Sequence, residues 1–542
     1  MEQAAGLSRL RHGYPESELL QALPIHTKMS ADRDISKQGL AASPMPRAVC
    51  RALDAMRGNL GHRWTIGELA RVAGTSARTL QRQFVLFLGK PPRAVLQDIG
   101  FKQARRELLQ GLRCEKVMDV ASRCGFQHFG RFSVEYRRRY SETPSRTLKR
   151  KAVFAAALSS MSAPAVLTGE RVTMAFAGIQ SGADHVEVAA DVAASLSAAL
   201  TRAGIAVMRE DRRARYGLTG TVRAGGSQLR FLFRLTDNES GRQIWAHRAD
   251  SMICDDVASD ESLATRIAAA LQPCLRRAEI AHALRKPGSE LSPHDLALRA
   301  MPGALSLDEE GNARALELLE QAMERDSREP LAIALAAWVR LQRVVYHFTN
   351  ELRRERARGI ELTQKALALS GDATTLVVLG NALTLLDEQD AAARVIARAL
   401  SMDGGSAWAW SRSGWIDVYR GDPESAIERF KIALDLAPDD ALAFNSQVGI
   451  GCAHFFAGAY AEAAQWQERA LSAHPSAFWV HRTLCPTYVH ANAKLQARRS
   501  LGMLRVRYPE LTLEQVRLGM PPLRPAHGDL IAGALAEAGL PA

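Results

Sequence analysis

From Ser292 onward the chain repeats itself, and the period leaves few ways to fold. With one alanine as the marker, Ala366, Ala399, Ala433 and Ala470 recur at intervals of 33, 34 and 37 residues, and Leu504 follows 34 later. Ala322 precedes Ala366 by 44 residues, so the first units carry a longer connection. Gly380, Gly414 and Gly451 recur in phase, and Pro438, Pro475 and Pro509 close successive units. A unit of this size is one pair of helices, too small to bury an apolar face alone, so neighbours must stack. The clearest unit runs Trp410, Gly414, Gly421, Ala426, Phe430, Ala433, Pro438, with small residues where paired helices approach closely. Trp410 is expected in the core, and Trp408, Trp410 and Trp415 are read as packing rather than as a ligand cage.

This spacing resembles the tetratricopeptide pattern, which implies five or six repeats in an α-solenoid whose concave side suits peptide or protein partners. At 542 residues the chain is too long for one core. The expected fold class is multidomain and mainly α. Residues 1–45 are a loosely ordered extension, 46–151 a run of short amphipathic helices, 152–170 a linker, 171–287 a small α/β domain, 288–510 the repeat superhelix and 511–542 a tail. In the α/β segment, Arg171–Ile179, Gly217–Val222 and Gln228–Leu235 read as strands, the last two joined by Gly225-Gly226. Val186–Ala203 and Leu263–Leu284 read as helices, giving the order β-α-β-β-α.

Charge divides the chain further. Residues 47–151 hold 23 Lys and Arg against 8 Asp and Glu, a net of +15, whereas the whole chain carries +12, so everything else is slightly acidic. A basic field confined to one segment is the footprint expected for a polyanion partner. The seven cysteines, Cys50, Cys114, Cys124, Cys254, Cys274, Cys452 and Cys485, contain no CxxC pair. They fit small core residues in a reducing cytosol, with no metal and no cofactor expected. An apolar run over 152–167 behind Lys149-Arg150-Lys151 spans only 16 residues and is broken by Ser159, Ser160, Ser162 and Pro164. A bilayer needs about 20 strongly apolar residues, so no membrane anchor is expected.

Within the basic segment two patterns recur about fifty residues apart. In the first, Thr65 and Glu68 stand at capping-box spacing, Leu69 and Val72 are expected inward, Gly74 permits a tight turn, and Ser76 caps a helix from Ala77 to about Phe87. On that helix Leu80, Phe84 and Phe87 take one face, and Arg78, Gln81 and Arg82 the other. This is a helix-turn-helix, whose second helix enters the major groove. Arginine can bond guanine O6/N7 and glutamine adenine N6/N7. The second pattern is Val117, Val120, Ala121, Cys124, Gly125, Phe126, Phe129, Phe132 and Tyr136. It offers Gln127, His128, Arg131 and Ser133 outward, followed by Arg137, Arg138 and Arg139, which suit phosphates better than bases.

The runs LARVAGTSARTLQRQF, LGKPP, KQARRELL and VMDVASRCGFQHFGRFSVEYRRRYSETPS resemble the DNA-binding domain of the AraC family over about one hundred residues. The resemblance implies two recognition helices joined by a long central helix and reading major-groove segments about one turn apart. By it, Arg78, Gln81 and Arg82 occupy base-contacting positions. Three residues depart from the family pattern: Gly100 stands in place of an arginine that opens the central helix, Ser141 replaces a glycine, and Val134 replaces a common arginine. Gly100 is expected to soften the link between the halves. Residues 216–223 and 235–246 resemble the TolB N-terminal-like domain, which implies no catalysis. No Walker loop, GxSxG or HExxH occurs, so no enzyme is expected.

The sequence thus points to a bacterial, cytoplasmic, nucleoid-associated transcription regulator that binds double-stranded promoter DNA and takes input from a protein partner or self-association through its repeats. The alternative is a tetratricopeptide scaffold whose DNA-binding module is weakened.

Overall fold

The computed structural model describes residues 46–110, 116–140, 142–149, 172–209, 213–225, 228–252, 257–369 and 371–541. The expected extension, the linker and the 152–167 run lie outside these residues, as does Ser141. Among the described residues no helix is long and apolar enough to cross a membrane.

The basic segment forms helices α1 (Arg47–Gly58), α2 (Ile66–Ala73), α3 (Ala77–Leu88), α4 (Pro92–Gln110), α5 (Val117–Arg123), α6 (Phe129–Tyr140) and a short α7 over 144–149. It contains two cores rather than one. Val49, Met56, Leu69, Ala70, Leu80 and Phe84 close the first, and Phe101, Leu108, Val120, Ala121, Phe132 and Tyr136 close the second. Helix α4 serves both, with Val95, Leu96 and Ile99 against the first and Phe101, Ala104 and Leu108 in the second.

The small α/β unit is a five-stranded mixed sheet in the order β2-β1-β3-β4-β5. Strands β1 (Thr173–Gln180), β2 (Ala206–Met208) and β3 (Tyr216–Gly225) run parallel, while β3, β4 (Gln228–Asp237) and β5 (Arg242–Met252) pair antiparallel. Two strands, β2 and β5, were absent from the expected β-α-β-β-α order. The first is only three residues long, and the second mixes Arg, His and Asp into its pattern, so neither carries clean alternation. Leu229, Phe231, Phe233 and Leu235 of β4 are buried on one face, beneath α8 (Val186–Arg202) and α9 (Val257–Arg285). Helix α9 then continues to the rest of the chain. Its Arg276 stacks 3.7 Å over the Trp408 ring and bonds Asp440 at 2.9 Å, and Gln272 donates to Asp403 at 2.7 Å.

Six consecutive helix pairs follow: α10 (Pro293–Ser306) with α11 (Glu309–Arg325), α12 (Pro330–Val345) with α13 (Leu352–Leu367), α14 (Ala373–Leu385) with α15 (Gln389–Met402), α16 (Ala407–Arg420) with α17 (Pro423–Leu436), α18 (Ala443–Phe456) with α19 (Tyr460–Ala473), and α20 (His481–His490) with α21 (Lys494–Arg507). The six marker residues all lie near the end of a second helix, buried, each accepting the capping N–H that ends its helix. A Cβ on Gly380 would come within 2.4 Å of Ile396, on Gly414 within 2.9 Å of Phe430 and on Gly451 within 2.6 Å of Gln467, so within each pair the two helices touch where the glycine stands. Phe430 is also where a Cβ on Gly449 would land, at 2.2 Å, so one ring locks two successive pairs together.

Two expectations fail here. Trp410 is only half-buried and its indole donates to the Gly404 carbonyl, while Trp408 and Trp415 take the interior. Residues 511–542 are not a tail. Helices α22 (Leu513–Gly519) and α23 (Pro525–Ala538) bury Val516, Ile531 and Leu535 against Phe455, Cys485 and Leu504. Short, alanine-rich and past the last repeat marker, this segment offered no period to read.

Burial drives two imidazoles to low pKa, His347 to about 3 (with the Arg482 charge adding to the effect) and His481 to about 4. Both stay neutral when folded, whereas in the unfolded chain they take up protons near their ordinary value of 6.5. The unfolded state therefore gains protons first, and these groups remove stability as pH falls from about 6.5 toward 4. A thermal-unfolding series over that window should show Tm falling, with a shallower slope in His481→Asn. An unchanged slope in the variant would contradict this.

Candidate nucleic-acid interface

Each helix-turn-helix half is set by its caps and its buried pair. Thr65 Oγ1 accepts the Glu68 N–H at 3.2 Å and Glu68 accepts the Thr65 N–H at 2.8 Å, so α2 starts on a capping box. That hydrogen bonding also lowers the Glu68 carboxyl below its ordinary value. Gly74 ends α2 at φ +68°, a left-handed conformation suited to glycine, and Ser76 caps α3 by accepting the Thr79 N–H. Val72, expected inward, is 47% exposed, and Ala70 and Ala73 fill its place. Leu69 supplies the large buried side chain of this short helix, and Ala70 and Ala73 complete its buried side.

Leu80 and Phe84 anchor α3, and Phe132 and Tyr136 anchor α6 at the same i, i+4 spacing. Counting from these pairs aligns the two outer faces. Where α3 presents Arg78, Gln81, Arg82 and Val85, α6 presents Gly130, Ser133, Val134 and Arg137. The four α3 residues are exposed, and among the described residues no hydrogen bond or ion pair engages Arg78, Gln81 or Arg82. On α6, Ser133 is half-buried and Val134 is 71% exposed. Val85, 53% exposed on the outer face of α3, was not among the expected contact residues because an apolar residue in a helix is read as core.

The remaining expected contact residues separate by what already holds them. His128, Arg131 and Arg137 are exposed and unpaired among the described residues. Gln127 accepts a hydrogen bond from Arg63 of the α1–α2 loop, across the two halves. Arg138 makes a two-pronged pair with Glu135, at 2.8 and 2.7 Å, and its carbonyl accepts from Arg353 of α13 at 2.9 Å. Arg139 bonds Asp98 and Glu135 and lies 4.4 Å over the Phe101 ring, so it braces α6 on α4. The Arg138 and Arg139 guanidiniums hold Glu135 at a pKa of about 2. Charge that looked uniformly available in the sequence is therefore partly spent inside the domain. Arg105, buried and 3.3 Å from Glu142, is spent in the same way.

Gly100 does the opposite of softening the link. A Cβ there would lie 2.9 Å from the Cys124 carbonyl and 3.2 Å from the Phe126 ring, so its absence lets α4 sit directly on the second turn. That turn meets the first half too, since a Cβ on Gly125 (φ +85°) would lie 2.5 Å from the Leu60 carbonyl. The spacing of α3 and α6 is thus held by backbone-to-backbone packing at two glycines.

Comparison with known proteins agrees with this geometry. A family profile described as a helix-turn-helix domain matches residues 69–150, which take in most of α2, all of α3 to α6 and α7. Over 140 residues the chain is 30% identical to the probable thc operon regulatory protein of Rhodococcus erythropolis. The matched stretch covers 26% of this chain and 42% of that protein, so the chain spans about two fifths of the relative's length. Residues 69–150 form a helix-turn-helix domain of AraC type, the module through which such proteins bind DNA.

Proposed function

We propose that the chain is a sequence-specific, DNA-binding transcription regulator in which α3 reads bases and α6 chiefly holds the backbone. The observation that carries this reading is the outer face of α3, where Arg78, Gln81 and Arg82 are exposed and unengaged within a segment of net charge +15. Phosphate contacts fix register and affinity, and base edges fix preference. Gly130, Ser133 and Val134 give α6 little to bond with, although Val134 can pack on a thymine methyl. Residues 171–287 and 288–510 are assigned as a TolB N-terminal-like domain and a tetratricopeptide superhelix that receive the signal, with a protein partner or a second copy as the input. Exposed Leu495, Met503 and Val506, within about 80° of one another around α21, support that input. A bacterial cytoplasm and nucleoid association follow from the same reading.

The test is selection from a random duplex library followed by footprinting of the full-length protein at about 0.15 M salt. One enriched motif with a protected site supports the reading, and equal protection of every sequence overturns it. In that second outcome a scaffold with a non-specific DNA module is the better description, a reading favoured by the weak face of α6.

The ion pairs give a further expected result. Glu135→Gln releases the side chain of Arg138, while Asp98 and the Phe101 ring still hold Arg139, so binding should strengthen on all sequences alike and the slope of log K against log salt should steepen by about one for the added phosphate contact. Arg137→Ala should flatten that slope by a similar amount. Equal slopes for both variants and the parent protein would remove α6 from the phosphate-contacting surface.

A further inference from the structure

The helical region holds a cavity that opens in part to solvent. Its walls include Tyr346, Trp415, Tyr419 and Trp479, and two guanidiniums, Arg412 and Arg482. Leu523, from the loop before α23, and Ile531 of α23 close one side, so the segment expected as a tail completes the cavity.

The charge inside is unbalanced. Arg412 and Arg482 are 7% and 6% exposed, and no Asp or Glu lines the cavity. Neither arginine has a carboxylate partner among the described residues, and burial pushes both guanidiniums below their ordinary pKa. Arg482 donates to the Val345 carbonyl at 2.7 Å, and Arg412 has a tyrosine, Tyr419, as neighbour. The Nε of Arg412 and the indole N–H of Trp415 have no acceptor among the described residues. Two half-buried arginines, Arg340 of α12 and Arg276 of α9, are treated differently. Arg340 bonds Glu355 at 2.7 Å, and Arg276 bonds Asp440 at 2.9 Å. Burying a charge without a partner is costly, and a protein retains it where something else supplies the partner.

We propose that this cavity binds a small organic carboxylate, whose oxygens pair with Arg412 and Arg482 and whose apolar body packs among the aromatic walls. Donors outnumber acceptors here, which selects an anion. A guanidinium matches the two oxygens of a carboxylate in one plane. The aromatic walls select an apolar body and exclude a bare inorganic ion. Because α23 forms part of the enclosure, occupancy should tighten the C-terminal end of the helical region. The inference does not rest on the DNA reading, and its test contains no DNA.

The experiment measures Tm and heat of binding for the full-length protein with 3-phenylpropanoate and indole-3-acetate, with their neutral amides, and with inorganic phosphate at matched ionic strength. The acids are expected to raise Tm with increasing concentration, while the amides and phosphate leave it in place. Arg412→Met should weaken the acids at least tenfold and leave the ligand-free Tm equal or higher, because it removes an unpaired buried charge. Cys452→Met, which enlarges a wall side chain and keeps both arginines, should also abolish the acid response. The proposal is overturned by an absent acid response, by amides or phosphate acting equally well, or by a response that survives Arg412→Met and Cys452→Met. A ligand-free Arg412→Met that unfolds at lower temperature would also overturn it, since the guanidinium would then be structural.

Discussion

Alanine at Arg82 is expected to weaken the full-length protein on its preferred site by about 1–3 kcal/mol and to relax the preference at a single base pair. Arg82 stands on the exposed face of α3 two residues after the buried Leu80, with no partner among the described residues to compete with a base. The equivalent position on α6, two residues after the buried Phe132, is Val134. Val134→Ala can lose only an apolar contact, so its effect should be well below that of Arg82→Ala and confined to a position occupied by thymine. Competition titrations against single-base variants of the site would measure both. If Arg82→Ala lowers affinity equally for every sequence, Arg82 meets phosphate and the reading face has been placed wrongly.

Phe430→Ala is expected to cost the helical region about 3–5 kcal/mol, the range for deleting a fully buried aromatic ring. The ring is inaccessible to solvent, lies edge-on to Trp415 at 5.6 Å, and fills the space left by Gly414 and Gly449 on two neighbouring helix pairs. Its loss should loosen two interfaces together rather than one. Denaturant unfolding followed by far-ultraviolet circular dichroism checks the size of the effect. The two cores of the helix-turn-helix domain share no residue with this one, so specific DNA binding should persist at temperatures where the helical region remains folded. A loss below 1 kcal/mol would mean that the two pairs are not coupled through this ring.

Much of the arrangement was legible in the chain because it depends on local chemistry. The Thr65–Glu68 capping box, the left-handed Gly74 and the Ser76 cap follow from residues within a few positions of one another. The i, i+4 pairs Leu80/Phe84 and Phe132/Tyr136 fix which face of each helix is free, and with that the outward placement of Arg78, Gln81 and Arg82. The marker residues fall at equivalent places in six successive helix pairs, and five of the six are alanine because a stacked pair favours a small side chain at that point, the last being Leu504.

What went unread depends on contacts between residues distant in sequence. Glu135 stands one helical turn from Arg138 and could be read locally, but nothing near Arg138 announces Arg353, nothing near Arg139 announces Asp98, and nothing near Gln127 announces Arg63. Gly100 looked like a weak joint, since a helical glycine is flexible in isolation, but packed against the Cys124 carbonyl it becomes the point of closest approach. Arg412 and Arg482 lie 70 positions apart on different helices, and each alone reads as an ordinary surface arginine. By itself the sequence determined where helices begin, which faces they bury and where positive charge collects, since these are short-range properties of the chain. Only the tertiary structure decided which charges remain unspent, because burial and pairing are set by neighbours that the fold, not the sequence order, brings together.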